Sequence, residues 1–520
     1  MMYATSAIPL TWDQGSAATV SSLPGFQQHF RISSESGASS TRNFVSLVYI
    51  GDAVGAFLSF FINDSIGRLW SYRLYSFVWI IGQLVAIFSP GSSGLYASRI
   101  ISGLGIGALS VTGAVSIVEI APAQIRGLLT SWYSVFMGIA LMASTFCVYG
   151  IELHVGASRL QYQIPWFSPC IFMFLWIAAS FFLSESPRWL VLTGRNEEAV
   201  QTLVRLRRLP SHHTFVQEEL QSIKESIHSE TRNSADRSPF QIVSIAKETF
   251  TKPSNLRRVQ QAIIMYALPQ FSGGNVVTNY FVPILKVVGL GGGSTRNLFL
   301  TGMYTVAKFF FSLFASFFFI DALGRRNSLF VGIALQMASD IYLAAYINVQ
   351  QNGHTSHAAD EAALAAIFIH ALGYAIGLLT LPYVFGGELW PNRIRSFGAA
   401  LSHTFHWSFH YAMTFALPSL LSRTNNWGAF VFFAAWCAGG MLYVYLFVPE
   451  IAGLSVEEIE HIFSGPFIVS HKRSSTRGPG SLLEGQDLNK TSPDTKGQDF
   501  PKTMSSQKTS GEDKMQVTHK

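Results

Sequence analysis

The chain has 520 residues, of which 49% are apolar and only 13% charged, with a formal net charge of +6 and a mean hydropathy of +0.29. A water-soluble globular protein carries roughly 25% charged residues, so this balance excludes an ordinary soluble enzyme or binding module and points to a chain embedded in a membrane. The basic residues form no stripe with interleaved aromatics and give no argument for a nucleic-acid partner, and Cys147, Cys170 and Cys437 all lie inside apolar runs, where they read as packing residues and not as a disulfide framework or metal site.

Apolar runs near the ~20 residues that a helix needs to cross a bilayer recur along the chain. They fall at about 44–63, 73–90, 94–118, 128–151, 164–184, 259–285, 298–320, 328–348, 362–387, 396–421 and 427–448. A twelfth run, at about 3–23, comes first and is weak. Met1 to Leu10 is apolar, but Trp12-Asp13-Gln14-Gly15-Ser16 follows at once, so helix 1 is expected to be weak or truncated. The segment is no signal peptide, since it lacks a basic n-region and a compact apolar core. Between the fifth and sixth clear runs, 185–258 is polar and contains stretches of helical spacing from Asn196 and from Val216. The last 55 or so residues are rich in Ser, Thr, Lys, Gly, Pro and Gln and cannot bury enough surface to fold alone. The resulting division is 1–184, a first six-helix bundle; 185–258, a central loop; 259–450, a second six-helix bundle; and 451–520, a tail largely disordered from about 465.

Lys and Arg mark the cytoplasmic side of a membrane protein. Arg68, Arg73, Arg126, Arg325, Arg326, Arg393 and Arg395 share one set of short loops, and 185–258 adds Arg188, Arg195, Arg205, Arg207, Arg208, Lys224, Arg257 and Arg258. The opposite loops are poor in positive charge, with Arg159, Arg296 and Arg423 as scattered exceptions. Both termini and the central loop are therefore expected in the cytoplasm, in a multi-pass protein of the plasma membrane. Asn489-Lys490-Thr491 matches a glycosylation acceptor but falls on that side, where it would not be modified.

Three motifs occur twice in the same order. Glu119-Ile-Ala-Pro122-Ala-Gln-Ile-Arg126 and Glu388-Leu-Trp-Pro391-Asn-Arg-Ile-Arg395 share the spacing E-x-x-P-x-x-x-R and start 269 residues apart. Asp64-Ser-Ile-Gly67-Arg68 and Asp321-Ala-Leu-Gly324-Arg325 are 257 apart, and Glu185 and Glu450, each just after an apolar run, are 265 apart. A duplicated unit with charged motifs at the ends of spanning helices is the layout of a carrier built from two similar halves. Charge networks between helix ends can bias a two-state rocking equilibrium. This gives Asp64, Arg68, Glu119, Arg126, Glu185, Arg188, Asp321, Arg325, Glu388, Arg395 and Glu450 as gating charges.

These residues resemble the sugar porter branch of the major facilitator superfamily. The repeated loop motifs, Arg99-Ile-Ile-Ser-Gly103-Leu-Gly105-Ile-Gly107, Ser184-Glu-Ser-Pro187-Arg188-Trp189-Leu190, Gln270-Phe-Ser-Gly-Gly-Asn275 and Pro449-Glu450 carry the likeness in order over about residues 10–465. The stretch from Leu381 to Ser396 is similar to fungal quinate-permease-like and monosaccharide carriers. The resemblance implies an all-α membrane protein with the major facilitator fold, twelve transmembrane helices in two six-helix bundles, and transport by alternating access. It also implies a proton-coupling pair, Asp13 in helix 1 and Arg99 in helix 4, although the usual Gly-Tyr-Asp is Thr11-Trp12-Asp13 here. A carboxylate in a span is costly unless paired or protonated, and an Arg beside it favours its ionised form.

The family's solute site draws on helices 5, 7, 10 and 11. Gln270 and Asn275 match its helix 7 amides, Tyr383 falls where a helix 10 Trp is frequent, and Trp407 matches a helix 11 aromatic. Ser134 stands where a helix 5 Gln is usual, Pro269 replaces the first Gln of the helix 7 pair, and His406 replaces a helix 11 Asn. Three amides of a standard glucose site are therefore gone, and basic groups are gained. Lys308 sits about ten residues into the helix 8 run, while His403, His406 and His410 share one helical face. A lysine at that depth needs a cavity, a carboxylate such as Asp52 or Asp340, or a substrate anion.

The reading is a secondary active transporter of a small polyhydroxylated solute (sugar, polyol or quinate-like acid), coupled to protons by symport. It is not an enzyme and needs no cofactor beyond the proton gradient; its partners are the solute and the lipid bilayer, and it works as a monomer. Two alternatives stay open: an exporter of a small acidic secondary metabolite, and a non-transporting sensor or crippled carrier.

Overall fold

The computed structural model describes residues 2–32, 37–122, 126–232, 240–319, 323–353, 356–379, 381–382, 389–391, 394–450 and 462–463. All of them lie in one compact unit, Met1–Val469. The tail expected to be disordered, and Asp321, Tyr383, Glu388 and Asn489, fall outside the described residues; of Arg126, at a described helix start, the side chain is outside too.

The described structure is helical throughout. A 3-10 turn, Met2–Ser6, leads into α1, Ala7–Val20. Then come α2 (Gly37–Ile66), α3 (Arg68–Phe88), α4 (Ser92–Ile120), α5 (Arg126–His154) and α6 (Leu160–Ser180). The second half holds α7 (Pro253–Phe271), α8 (Ser294–Phe314), α9 (Arg325–Gln351), α10 (His357–Tyr374), α11 (Arg395–Arg423) and α12 (Trp427–Phe447). Short π-helical turns, Ala315–Phe319 and Ala375–Leu379, extend α8 and α10. Among the described residues nine helices are long and apolar enough to cross a bilayer. The three outside that set are α1, α7 and α11, and these carry the buried polar groups described below. α1 falls outside by length, at 14 residues, whereas α7 and α11 carry buried polar side chains along their length, Arg258, Gln261 and Gln270 in one and His403, His406 and His410 in the other.

The hydroxyl residues in α1 do not interrupt it, because they close local bonds. Thr11 Oγ donates to the carbonyl of Ala7, Ser16 Oγ to Asp13, and Thr19 Oγ to Gly15. Helix 1 is thus present from Met2, and the weakness expected from its composition is answered by its burial against α4 and α5.

The repeat in the sequence reappears as a repeat of contacts. In the first half α2 packs on α4, α3 on α4, α1 on α5 and α3 on α6; in the second α8 packs on α10, α9 on α10, α7 on α11 and α9 on α12. The two main contacts between halves, α2 with α11 and α5 with α8, exchange under the same mapping. At the end remote from 185–258 one apolar cluster runs through both halves, from Val20, Phe44 and Trp166 to Tyr280, Leu285 and Phe433. Two further clusters are centred one in each half, around Tyr72 and Trp79 in the first, which Trp407 of α11 joins, and around Leu329 and Trp390 in the second. The α4 glycines let α2 and α4 pack closely: a β-carbon on Gly103 or Gly107 would run into the α2 backbone at Val48 and Asp52.

The central segment forms helices Pro187–Leu192, Asn196–Arg207, Thr214–Arg232 and Phe240–Thr251. Trp189, Leu190, Ala199, Leu203, Val216 and Leu220 give it a small core of its own. The two stretches of helical spacing seen in the sequence are the second and third of these helices.

Both copies of the D-x-x-G-R motif place glycine where only glycine fits. Gly67 has φ +91° and Gly324 φ +80°, with ψ 164° and 160°, just before α3 and α9. Any other residue there pays roughly 1–3 kcal/mol of backbone strain. At Gly67 a β-carbon would also lie 2.6 Å from Glu185 Oε2. Gly67→Ala is therefore expected to destabilise the purified carrier by about 1–3 kcal/mol. Gly150, whose β-carbon would meet nothing, serves as the control, and the comparison of thermal unfolding midpoints decides. Equal midpoints for the two variants would remove the strain argument.

Candidate functional site

Three polar assemblies interrupt the apolar interior. The first joins α1 to α4. Arg99 Nη1 and Nη2 donate to the two oxygens of Asp13, the longer bond at 2.7 Å, and Nε donates to the Phe44 carbonyl at 2.9 Å. Both side chains are 4% exposed, and the guanidinium lies over the Phe44 ring at 4.9 Å. Bidentate geometry is the strong form of this pair. The structure thus brings together the two residues that the sequence placed 86 positions apart. Asp52 on α2 is buried close by, and neither of its oxygens finds a hydrogen-bond partner among the described residues.

The second assembly surrounds the break in α7. Pro269 lacks an N–H, the helix ends at Phe271, and Gly273 with φ +84° turns the chain before it resumes as Gly274–Asn279 and Phe281–Val287. Gln270 Nε2 meets His406 Nδ1 at 3.3 Å, Asn275 Nδ2 donates to Gln270 Oε1 at 3.2 Å, and Tyr374 Oη donates to Asn275 Oδ1 at 2.9 Å. The helix 7 amides and the helix 11 histidine predicted from the sequence therefore form one chain. Asn279 Nδ2, one helical turn on, reaches Tyr49 Oη at 2.9 Å and His410 Nε2 at 3.0 Å. Trp407 is buried, stacks in parallel with Tyr49 at 6.0 Å and donates to Ser110 Oγ at 3.3 Å. His403, His406 and His410 are all buried on the inner face of α11, as their spacing predicted, with the Tyr266 ring beside the first two. Ser134 is half-buried on α5 and joins no hydrogen bond of this network among the described residues.

Lys308 belongs to the same assembly. It is 5% exposed, donates from Nζ to Thr278 Oγ1 at 2.8 Å and lies 5.0 Å above the Tyr374 ring. Neither Asp52 nor Asp340, the two carboxylates considered as its partners, forms an ion pair with it. Asp340 instead stands 3.7 Å from His370. Among the described residues no carboxylate pairs with Lys308. Tyr374, Thr278, Asn279, Tyr49 and Tyr266 were not singled out from the sequence. Thr278 and Asn279 carried a signal, lying three and four residues beyond Asn275 on one helical face. The tyrosines carried none, being common in apolar helices.

The third assembly ties helix ends on the loop side. Arg68 donates to Asp64 at 2.7 Å and through Nε and Nη2 to both oxygens of Glu119, at 2.9 and 2.8 Å, while Ser186 Oγ donates to Glu119 Oε2 at 2.7 Å. Glu185 accepts from the backbone N–H groups of Arg68, Leu69 and Ser186 at 2.9–3.1 Å. It therefore caps the positive end of α3. Burial lifts its carboxyl above the ordinary range, while those N–H donors and Arg68 pull it down. The second half repeats the cap: Glu450 Oε2 accepts from the Arg326 N–H, at the start of α9, at 3.0 Å. Asp64 and Arg68 were read as charges on loops; they are the end of α2 and the start of α3, an i,i+4 pair. Arg188 donates to Ser226 Oγ at 3.2 Å. Arg325 and Arg395 open α9 and α11. Through Asp64 and Glu119, Arg68 ties the ends of α2, α3 and α4 together in the first half.

This arrangement holds an ion pair within the membrane, a polar and aromatic cluster at a helix break between the halves, and a charge lattice at one end. The comparisons agree with it. Residues 1–463 match the family "Sugar (and other) transporter". A probable quinate permease of Aspergillus flavus is 28% identical over 464 residues, which are 87% of this chain and 85% of the relative. A quinate permease of Emericella nidulans is 28% identical over 462 residues, with the same shares. Among solved structures, the major facilitator superfamily proton:xylose symporter XylE bound to 6-bromo-6-deoxy-D-glucose superposes with a TM-score of 0.74, at 21% identity, over 89% of this chain and 98% of that one. The inward open xylose transporter XylE from E. coli gives 0.68 at 19% identity, over 88% and 98%.

Proposed function

The chain belongs to the sugar (and other) transporter family, a family of multi-pass membrane carriers of small solutes, and from that premise we propose that it carries a polyhydroxylated carboxylic acid of the quinate type, driven by the proton gradient. The observation that carries the solute class is Lys308, a buried ammonium beside the helix 7 amides. Amides and hydroxyls suit a polyol ring, and the ammonium suits a carboxylate. The relatives named as quinate permeases support the same class.

In this reading Gln270, Asn275 and His406 hydrogen-bond the hydroxyls, Trp407 and Ser134 shape the walls, and Tyr383 contributes from helix 10. Asp13 takes up the driving proton and releases Arg99. Asp64, Arg68, Glu119, Arg126, Glu185 and Arg188, and the equivalent Asp321, Arg325, Glu388, Arg395 and Glu450, are gating charges that lock the cytoplasmic face when the carrier opens outward and give way as the halves rock. The halves are 1–184 and 259–450, joined by 185–258. The carrier works as a monomer in the plasma membrane with both termini in the cytoplasm, and it needs no cofactor.

The test is uptake of labelled quinate, a neutral polyol and a hexose into a host lacking its own carriers, at several external pH values, with efflux from preloaded cells. Quinate is expected to accumulate, more at acid pH, and to stop accumulating with a protonophore. Accumulation of the hexose with no uptake of quinate would overturn the solute class, and accumulation that ignores both pH and protonophore would overturn the coupling.

A further inference from the structure

We propose that Asp340 and His370 form a second proton-binding site, in the second half, whose occupancy controls a clasp on the broken helix α7. The site lies where α9 crosses α10. On α9, Gly332, Gln336 and Asp340 follow at i, i+4 and i+8 and share one face. A β-carbon on Gly373 of α10 would lie 2.7 Å from the Gly332 carbonyl and 3.0 Å from the Gln336 nitrogen, so the two backbones touch there. One turn before Gly373, His370 is buried, and its Nε2 stands 3.1 Å from the Ser272 carbonyl and 3.7 Å from Asp340 Oδ1. That carbonyl belongs to the turn that breaks α7, two residues after Gln270. Asp340 is fully buried, and neither of its oxygens nor either side-chain polar atom of Gln336 has a hydrogen-bond partner among the described residues.

The other groups that bear on the site are few. Lys308 on α8 acts electrostatically on His370, and the Cys437 thiol on α12 neighbours Asp340. Among the described residues, α7 presents the Ser272 carbonyl and α9 adds the neutral Gln336. No described cation pairs with Asp340 apart from what His370 can become. An isolated carboxylate in such a place costs several kcal/mol, so the pair is stable when it holds one proton. That proton sits either on Asp340 beside a neutral imidazole or on His370 beside a carboxylate.

Loss of the proton leaves a carboxylate 3.7 Å from His370 Nε2, whose hydrogen also holds the Ser272 carbonyl. The imidazole must then turn toward Asp340, and the carbonyl at the α7 break is released. Proton occupancy and the geometry next to Gln270 are thereby linked. The internal repeat sharpens the point. The 257-residue offset of the Asp64 motif places Asp340 on Gln83, and the 269-residue offset of the Glu119 motif places His370 within one residue of Ser102. Gln83 Nε2 and Ser102 Oγ meet at 3.4 Å across the equivalent crossing of α3 and α4. The first half has a neutral amide–hydroxyl pair where the second has two titratable groups.

The experiment is infrared difference spectroscopy of the purified full-length carrier in lipid nanodiscs, titrated with acid and base without solute. Wild type is expected to show a carboxylic acid C=O band that disappears at alkaline pH. Asp340→Asn removes that band, His370→Gln shifts the pH at which it disappears, and Asp13→Asn and Asp52→Asn leave it in place. A spectrum unchanged by Asp340→Asn, or a band indifferent to His370→Gln, would overturn the site. Hydrogen exchange over 270–280 tests the clasp. At alkaline pH the wild type is expected to exchange faster than Asp340→Asn, and at acid pH the two agree; equal exchange at both would overturn the link to α7. Neither readout uses a solute, so the proton site stands or fails apart from the solute assigned above.

Discussion

Lys308→Met is expected to weaken quinate transport on the order of 100-fold in kcat/KM while changing a neutral polyol several-fold at most. The magnitude follows from what surrounds the ammonium. A hydrogen bond from a charged group is worth about 1.5–3 kcal/mol, and a desolvated cation–π contact about 2. Thr278 and Tyr374 supply one of each. Burying an ion costs several kcal/mol even after relaxation, so these two contacts leave the ammonium short of full compensation. A solute carboxylate that arrives within reach makes up the difference, and removing one member of such a buried pair costs about 3–5 kcal/mol, of which part is recovered by water in the carrier. Methionine keeps the length and volume of the lysine stem, so the fold is spared. Equal losses for quinate and for the polyol, in protein that expresses normally, would return the carrier to the sugar and polyol class and make Lys308 a brace for α8.

The fold was legible in the sequence because a bilayer leaves few options: long apolar runs must be helices, and the repeated charged motifs set their pairing. Gly67 and Gly324, Glu185 and Glu450 appear at equivalent helix ends because the same cap was duplicated. Asp13 and Arg99 were legible for a related reason, since each is too costly in a span to stand alone. What stayed hidden depended on which faces the helices turn inward. Tyr374 and Tyr49 read as ordinary apolar-run tyrosines until α10 and α2 are seen against the α7 break. Lys308 announced itself but not its neighbours: nothing in the spacing separates Thr278 from Asp52 or Asp340 as its contact. Asp340 was visible only as a possible counter-ion to Lys308, and its relation to His370 comes from a crossing of α9 and α10 set by glycine backbones.

Asp13→Asn is expected to abolish uphill accumulation and to leave solute exchange in counterflow partly intact. The two oxygens of Asp13 hold Arg99 in a bidentate pair deep in the first half, so proton uptake by this carboxyl removes its charge, ends the bidentate pairing and leaves the guanidinium more dependent on the carbonyl and ring of Phe44. Asparagine fixes the neutral state permanently: the solute cluster of α7, α8 and α11 keeps its own bonds, but the gradient has no group to act on. Loss of one partner from a buried pair can cost about 3–5 kcal/mol of stability, which would confound a simple loss of uptake. The pairing of readouts separates the two causes. A misfolded variant fails in both accumulation and counterflow, whereas an uncoupled one fails only in the first. The double change Asp13→Asn with Arg99→Gln removes both charges, restores a neutral interior and should recover expression without recovering accumulation. Undiminished accumulation by Asp13→Asn would assign the driving proton to another carboxyl, with Asp52, buried beside the pair and without a hydrogen-bond partner of its own among the described residues, the first to examine.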